Sequence, residues 1–430
     1  MKIDYGWNNE LDFRCWGPYC SFGNHACSEI RITWQSKFFA LSHWIQYGET
    51  TECTQKIEEK ISPSAMHTFI LKELKPNTTY YYKISRIEDL QVQPQPIYTI
   101  RTAPEEAKQN SFEFCAFADF HACLREGTQE TLQSIIKNVP NSSFILSAGD
   151  CVRHGGEEDA WNDFFYQTNK FCPNLPCMHT TGNHDTDHPE TYAHFIQTFH
   201  NPYENPENGA YYYFIYGNAV FIMLDSTNAG QSSATQGMVS DQQLEWLEDV
   251  LQKFALKNYW IFVLMHHPVY TTGDSGMIRL YELAYRDMFE QYHVDMVLFG
   301  HDHFFEVYHV GQDLEWGGTH YCLIGNGGGD GGIKNMDAAG NPPYLWKGRT
   351  YIPSRDGMLS GRKDSMRYDE IVQSSYVYGI IEKGFTHFRI DGDTLKMTGW
   401  GCQNQVFYRD YIKRTGCGKK AHQPDYMREF

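Results

Sequence analysis

Four apolar runs in the middle of the chain each stop at an acid or an imidazole, and this pattern restricts the fold more than any other feature. Phe112–Ala118 ends in Asp119, Phe144–Ala148 in Gly149-Asp150, Trp260–Met265 in His266, and Val294–Phe299 in Gly300-His301. Helix-like stretches intervene at Thr128–Lys137, Asp159–Thr168, Ser240–Ala255 and Leu280–Gln291. In the third, Leu244, Leu247 and Val250 keep helical spacing behind a capping Ser240. Apolar strands alternating with helices imply a layered α/β domain, which gathers its ligands at the carboxyl ends of its strands.

The first hundred residues follow a different period. Ile30, Ile32 and Trp34 alternate with Arg31 and Thr33, and Tyr80, Tyr82 and Ile84 alternate with Tyr81 and Lys83. Period two between turn residues means antiparallel strands with one buried face. The stretch Leu74-Lys75-Pro76-Asn77-Thr78-Thr79-Tyr80-Tyr81-Tyr82 resembles the tyrosine corner of fibronectin type III-like domains, a likeness that covers residues 20–102. A polar linker, Thr102 to Asn110, follows. The expected division is an all-β sandwich over 1–104, an α/β domain over 110–400 and a polar tail over 401–430. Val377–Trp400 alternates around an Asp391-Gly392 hairpin turn, whereas Gly331–Val372 is polar and aperiodic, the pattern of a segment that is disordered or shapes a site.

Five segments deliver Asp, Asn or His together: Asp119-Phe120-His121, Gly149-Asp150, Gly182-Asn183-His184-Asp185, His266-His267 and Gly300-His301-Asp302-His303. Residues two apart on an extended chain point the same way, so Asp119 with His121 can grip one ion. The set in this order strongly resembles the calcineurin-like metallophosphoesterase superfamily, over about residues 112–400. Joined to the N-terminal sandwich, it looks like the arrangement of purple acid phosphatases. The resemblance implies a four-layer domain with a central β-sandwich flanked by helices. It implies Asp119, His121 and His303 on a first metal, Asn183, His266 and His301 on a second, Asp150 on both, and His184 as the catalytic histidine. Carboxylate and imidazole ligands without thiolate suit two divalent transition-metal ions, Fe, Mn or Zn. Such a centre hydrolyses a phosphate ester, here a monoester; a phosphodiesterase or a non-catalytic metal-containing interaction protein are the alternatives.

The sequence departs from purple acid phosphatases at two positions. Arg153 stands where they carry their metal-bound tyrosine, and His121 where they carry a glycine. The site is therefore expected to lack the purple tyrosinate and to use His121. Arg153 is a candidate clamp for a phosphate oxygen, against a plain salt bridge to Glu157 or Asp159. His154, His188 and His267 lie beside the motifs and are candidates for the pocket or its surroundings. Gly325-Asn326-Gly327-Gly328-Gly329 lacks the Lys and Ser/Thr of a P-loop and reads as a close backbone approach behind the metals.

Charge narrows the partners. Of 430 residues 36 are basic and 53 acidic, a formal charge of −17, which disfavours nucleic-acid backbone and anionic membrane. Bound cations reverse the sign locally, so a small phosphorylated substrate remains the expected partner. Met1–Asn9 has no apolar core and no run approaches a membrane span, so a cytoplasmic protein is expected. The 12 cysteines are more than such an enzyme needs. Cys15, Cys20 and Cys27 with His25 could be scattered thiols, a structural metal site or disulfides, and Cys172 and Cys177 flank a Pro-containing loop.

Overall fold

The computed structural model describes residues 16–40, 42–59, 64–86, 94–108, 110–122, 125–186, 188–227, 239–255, 257–271, 279–328, 374–414 and 420–422. Cys15 and the stretch Gly331–Val372 lie outside them.

Seven strands build the N-terminal sandwich: β1 (Trp16–Phe22), β2 (Ile30–Ala40), β3 (His43–Gly48), β4 (Gln55–Glu59), β5 (Ser64–Leu71), β6 (Thr79–Ile84) and β7 (Tyr98–Arg101). They form two antiparallel sheets, ordered β1-β2-β5 and β4-β3-β6-β7. The expected alternation holds in β6 and in part of β2: Ile30, Ile32, Trp34, Tyr80, Tyr82 and Ile84 are buried and Arg31, Tyr81 and Lys83 half-buried, but Thr33 is buried as well. The tyrosine corner closes as well, the Lys75 N–H donating to the Tyr80 hydroxyl at 2.9 Å.

His43 and His67 face each other in this sandwich with ring centroids 3.8 Å apart, both buried. Burial, and then His43 beside it, push His67 down to about 4. The folded value lies below the unfolded one of roughly 6.5, so the unfolded chain takes up the proton first and stability falls as pH drops from about 6.5 towards 4. The melting temperature is expected to fall by a few degrees between pH 7 and pH 5. His67→Phe should flatten that dependence, and an unchanged slope would show that the pair is not its source.

The second unit is built on strands β8 (Ser111–Phe117), β9 (Ile145–Ser147), β10 (Cys177–His179), β11 (Tyr212–Tyr216), β12 (Ala219–Met223), β13 (Trp260–Leu264), β14 (Met296–Phe299), β15 (Phe305–Val310), β16 (Thr319–Ile324), β17 (Tyr376–Ile380), β18 (Gly384–Asp391), β19 (Thr394–Gly401), β20 (Val406–Arg414) and β21 (Lys420–His422). Two seven-stranded mixed sheets result, ordered β10-β9-β8-β18-β19-β20-β21 and β11-β12-β13-β14-β16-β15-β17. Residues 406–414 and 420–422, expected as tail, instead extend the first sheet, with Tyr408, Asp410 and Ile412 buried.

The sheets pack face to face through aromatic rings. Phe114 stacks on Phe144 and Phe388 at 4.9 and 5.0 Å and meets Phe221 and Phe262 edge-on at 5.1 and 5.5 Å. Burying each ring contributes roughly 1.5–3 kcal/mol, and this is where much of the 15% aromatic content goes. Helices α1 (Arg125–Asn138), α2 (Glu158–Thr168) and α3 (Pro189–Thr198) cover the outer face of the first sheet, burying Leu132, Ile135, Phe164 and Phe195. Helices α4 (Asp241–Ala255) and α5 (Arg279–Gln291) cover the second through Leu247, Leu251, Phe254 and Phe289. Ser240 caps α4 as expected, its Oγ accepting from Gln243 N at 3.1 Å. The result is the expected four-layer arrangement behind an all-β sandwich. Among the described residues no helix is long and apolar enough to cross a membrane.

Candidate metal centre

Strands β8, β9, β10, β13 and β14 run parallel within their sheets, and each hands its carboxyl end to one ligand motif. Asp119 follows β8, Asp150 follows β9, Asn183 follows β10, His266 follows β13, and His301 and His303 follow β14. Three motifs come from one sheet and two from the other, so the donors meet over the seam between the sheets. Backbone bonds tie the ends together: Asp119 N–H donates to Gly149 O, His121 N–H to Asp150 O, and Gly300 N–H to His266 O.

Four of these residues, Asp119, His121, Asp150 and His301, have φ between 46° and 77°, a left-handed conformation that side chains rarely adopt. Such strain persists only where surrounding structure holds it. Close approach does that here: a Cβ on Gly182 would lie 2.1 Å from the Asp150 backbone N, and one on Gly327 would lie 2.3 Å from Ala118 O. Gly325 and Gly327 thus let the chain pass directly behind Asp119, as the glycine run suggests.

The side chains converge on one another with their donor atoms about 3 to 4 Å apart. His121 Nε2 and His303 Nε2 lie 3.0 Å apart, and both face Asp119 Oδ1, at 3.7 and 3.5 Å. That oxygen is buried and has no hydrogen-bond partner among the described residues, whereas its twin accepts from His301 N at 2.8 Å. Asp150 Oδ2 lies 3.5 Å from His121 Nε2 and 3.3 Å from His266 Nε2. Asn183 Oδ1 is 2.9 Å from both His266 Nε2 and His301 Nδ1. Two donors about 2.1 Å from one ion at a right angle to each other stand about 3 Å apart, so this spacing is what ions in the centre require. Three overlapping donor groups occur: Asp119 with His121 and His303; His121 with Asp150 and His184; Asp119 with Asp150 and His266. An orphaned buried carboxylate oxygen among close imidazole nitrogens fits a pair of divalent metal ions.

Electrostatics agree. Burial opposes ionisation of both acids, yet His121 and His303 hold Asp119, and His266 holds Asp150, well below the usual carboxylate range. Burial likewise opposes a charge on His266, but Asp150 pushes it up to about 9. His266 Nδ1–H donates to Ala148 O at 2.8 Å, which turns Nε2 to the centre.

The structure also separates neighbours that look alike in sequence. His267 is buried, pairs with Ser226 Oγ at 3.0 Å, and is pushed down by burial and then by His301. It stands behind His301, their centroids 4.6 Å apart. His188 caps α3, its N–H donating to Thr191 Oγ1. His184 is half-buried, and its Nδ1–H donates to Arg153 O at 2.7 Å. Arg153 and His154 are exposed beside it, with the His154 ring 6.2 Å from that of His184. Asp185 has a part that motif reading does not reveal: buried and pushed up by burial and by Asp150, it accepts from Val152 N and Gly182 N at 3.1 Å each. It thereby couples two ligand-bearing turns. Its place inside Gly182-Asn183-His184-Asp185 was the available signal.

Elsewhere Cys20 and Cys27 do not converge. Cys20 contacts Tyr82 OH, whereas Cys27 and His25 both turn to Glu106.

Comparison with known proteins agrees with this architecture. Residues 112–305 match the calcineurin-like phosphoesterase family, and residues 16–102 match the purple acid phosphatase N-terminal domain. A probable inactive purple acid phosphatase 24 of Arabidopsis thaliana is 25% identical over 57% of this chain and 44% of its own length. A probable purple acid phosphatase 20 of the same plant is 24% identical over 64% and 63%. The chain thus spans less than two thirds of either relative. The solved structure of purple acid phosphatase PPD1 from yellow lupin superposes with a TM-score of 0.71 over 93% of this chain and 74% of its own, at 18% identity. The chain therefore carries a calcineurin-like metallophosphoesterase domain joined to an N-terminal β-sandwich of the purple acid phosphatase type.

Proposed function

We propose that the chain hydrolyses a small phosphate monoester at this centre. The observation that carries the reading is the convergence of seven oxygen and nitrogen donors from five strand ends, with His184 at their edge. In this reading Asp119, His121 and His303 would hold one divalent ion and Asn183, His266 and His301 the other, with Asp150 available to both. Fe, Mn or Zn suits these ligands. When bound, two such ions supply Lewis acidity towards the phosphate oxygens and lower the pKa of a coordinated water.

The chain's own groups do the rest. His184, its Nδ1–H committed to Arg153 O, presents Nε2 to the leaving-group oxygen and gives it a proton. Arg153, exposed beside it, offers a planar fork to a non-bridging phosphate oxygen. Asp185 keeps the turns bearing Asp150 and Asn183 in register. With Arg153 in place of a tyrosine and His121 among the donors, the metal-loaded protein should show no tyrosinate charge-transfer band.

A phosphodiester is the second reading, favoured by those same two departures. The test is a substrate panel on protein whose metal content has been measured. Hydrolysis of p-nitrophenyl phosphate well ahead of bis-p-nitrophenyl phosphate is expected; the opposite ratio would assign a diesterase. No bound transition metal, and no gain on adding Mn²⁺ or Zn²⁺, would remove both readings.

A further inference from the structure

Cys172 lies within the connection between α2 and β10, and Cys177 is the first residue of β10. Their Sγ atoms are 3.3 Å apart, and both residues are buried. A disulfide needs a separation of about 2.05 Å, a closure of roughly 1.3 Å.

The loop they bracket is where the sandwich docks. The Cys20 N–H donates to Cys172 O at 3.2 Å, the Tyr82 hydroxyl to Pro173 O at 2.6 Å, and the Tyr19 hydroxyl to Cys177 O at 2.6 Å. The Thr99 N–H donates to Asn174 Oδ1 at 2.8 Å. Four sandwich residues, from β1, β6 and β7, therefore seat on six residues of the catalytic unit. The same loop feeds β10, which leads to Asn183 and His184. Fixing its ends fixes both the docking surface and the approach to two site residues.

We propose that Cys172 and Cys177 form a disulfide as the chain folds, stapling the loop on which the sandwich sits. The two thiols give up two protons and two electrons to an external disulfide, from a protein or a small thiol, which is released as two thiols; one S–S bond replaces two S–H bonds. Burial, and then Cys172, push the Cys177 thiol well above its ordinary range, so the folded pair is a poor source of thiolate and the bond forms before the loop closes over. That order of events belongs to an oxidising folding compartment in place of the cytoplasm expected from the sequence. Cys20 does not compete, because its Sγ is engaged by Tyr82 OH at 3.3 Å and Pro173 O at 3.5 Å.

The test is peptide mapping of the full chain, expressed in an oxidising compartment and alkylated while unfolded without reductant. Cys172 and Cys177 are expected to resist alkylation, in a peptide lighter by two hydrogens. Alkylation of both, or a link from either to another cysteine, would overturn the proposal. As a second measurement, dithiothreitol should lower the melting temperature by roughly 2–3 °C, the effect of opening so short a loop in a chain of this size. A Cys172→Ala/Cys177→Ala double variant should melt near the reduced protein and show no such shift. An equal shift in both would refute the staple, and the mapping needs no variant to fold.

Discussion

Asp150→Asn is expected to lower kcat/KM on the order of 10³-fold and to reduce metal content in the same preparation. The reason is its double contact: Oδ2 lies 3.5 Å from His121 and 3.3 Å from His266, one in each donor set, while Oδ1 accepts from His184 N at 2.9 Å. Asparagine keeps the volume and the bond from His184 N but removes one of the two negative charges the donor set supplies. A bridging group lost from a metal pair forfeits several kcal/mol of transition-state stabilisation, and about 4 kcal/mol corresponds to a thousandfold. Folding should survive, since asparagine keeps the side chain's volume and its acceptance from His184 N, although it gives up the attraction of His266 and His121 for the carboxylate. Elemental analysis, circular dichroism and turnover on one sample separate these outcomes. Two retained metals with full activity would show that Asp150 is not shared.

The site was more legible in the sequence than the scaffold, for a physical reason. The candidate donors Asp119, His121, Asp150, Asn183, His266, His301 and His303 sit in short motifs at strand ends, so local reading picks out side chains that the fold then brings together. Which strands lie side by side is set by pairing across long separations, and no local period records it. The hairpin β11–β12 shows a signal left unused: Gly217-Asn218 joins two apolar runs as a two-residue loop. Helix α3 carries Pro189 at its first turn, a helix-start mark, but its mixed His, Thr and Tyr faces blur the apolar stripe. Strand β20 looked like tail because polar residues alternate there with the buried Tyr408 and Ile412, which is the pattern of a strand with one buried face. Local spacing alone does not separate His266 from His267; only the resemblance carried by Val263-Leu264-Met265-His266 selects the first. In the structure the two differ because Ser226, 41 residues before His267, pairs with that ring while Ala148 O orients His266.

His184→Ala should cut kcat by about 10²–10⁴-fold on an alkyl phosphate, while leaving two metals bound. Two roles compete for this residue. Its ring belongs to a donor group with His121 and Asp150, and the His121 and His184 centroids are 4.7 Å apart, so ligation is geometrically open. Against it, Asp119 and His303 already share His121, and His184 is half-buried beside exposed Arg153 and His154, on the side a substrate enters. The leaving group decides between the roles. An alkoxide departs only with a proton, whereas p-nitrophenolate departs without one, so a proton donor's loss should be severe for the first substrate and mild for the second. A ligand's loss would harm both equally and lower the metal count. His184→Asn retains a hydrogen-bonding group towards Arg153 O but no proton donor of suitable pKa, and should show the same split. Equal losses on both substrates, together with lost metal, would move His184 into the coordination set and leave the leaving group to be protonated from elsewhere at the rim.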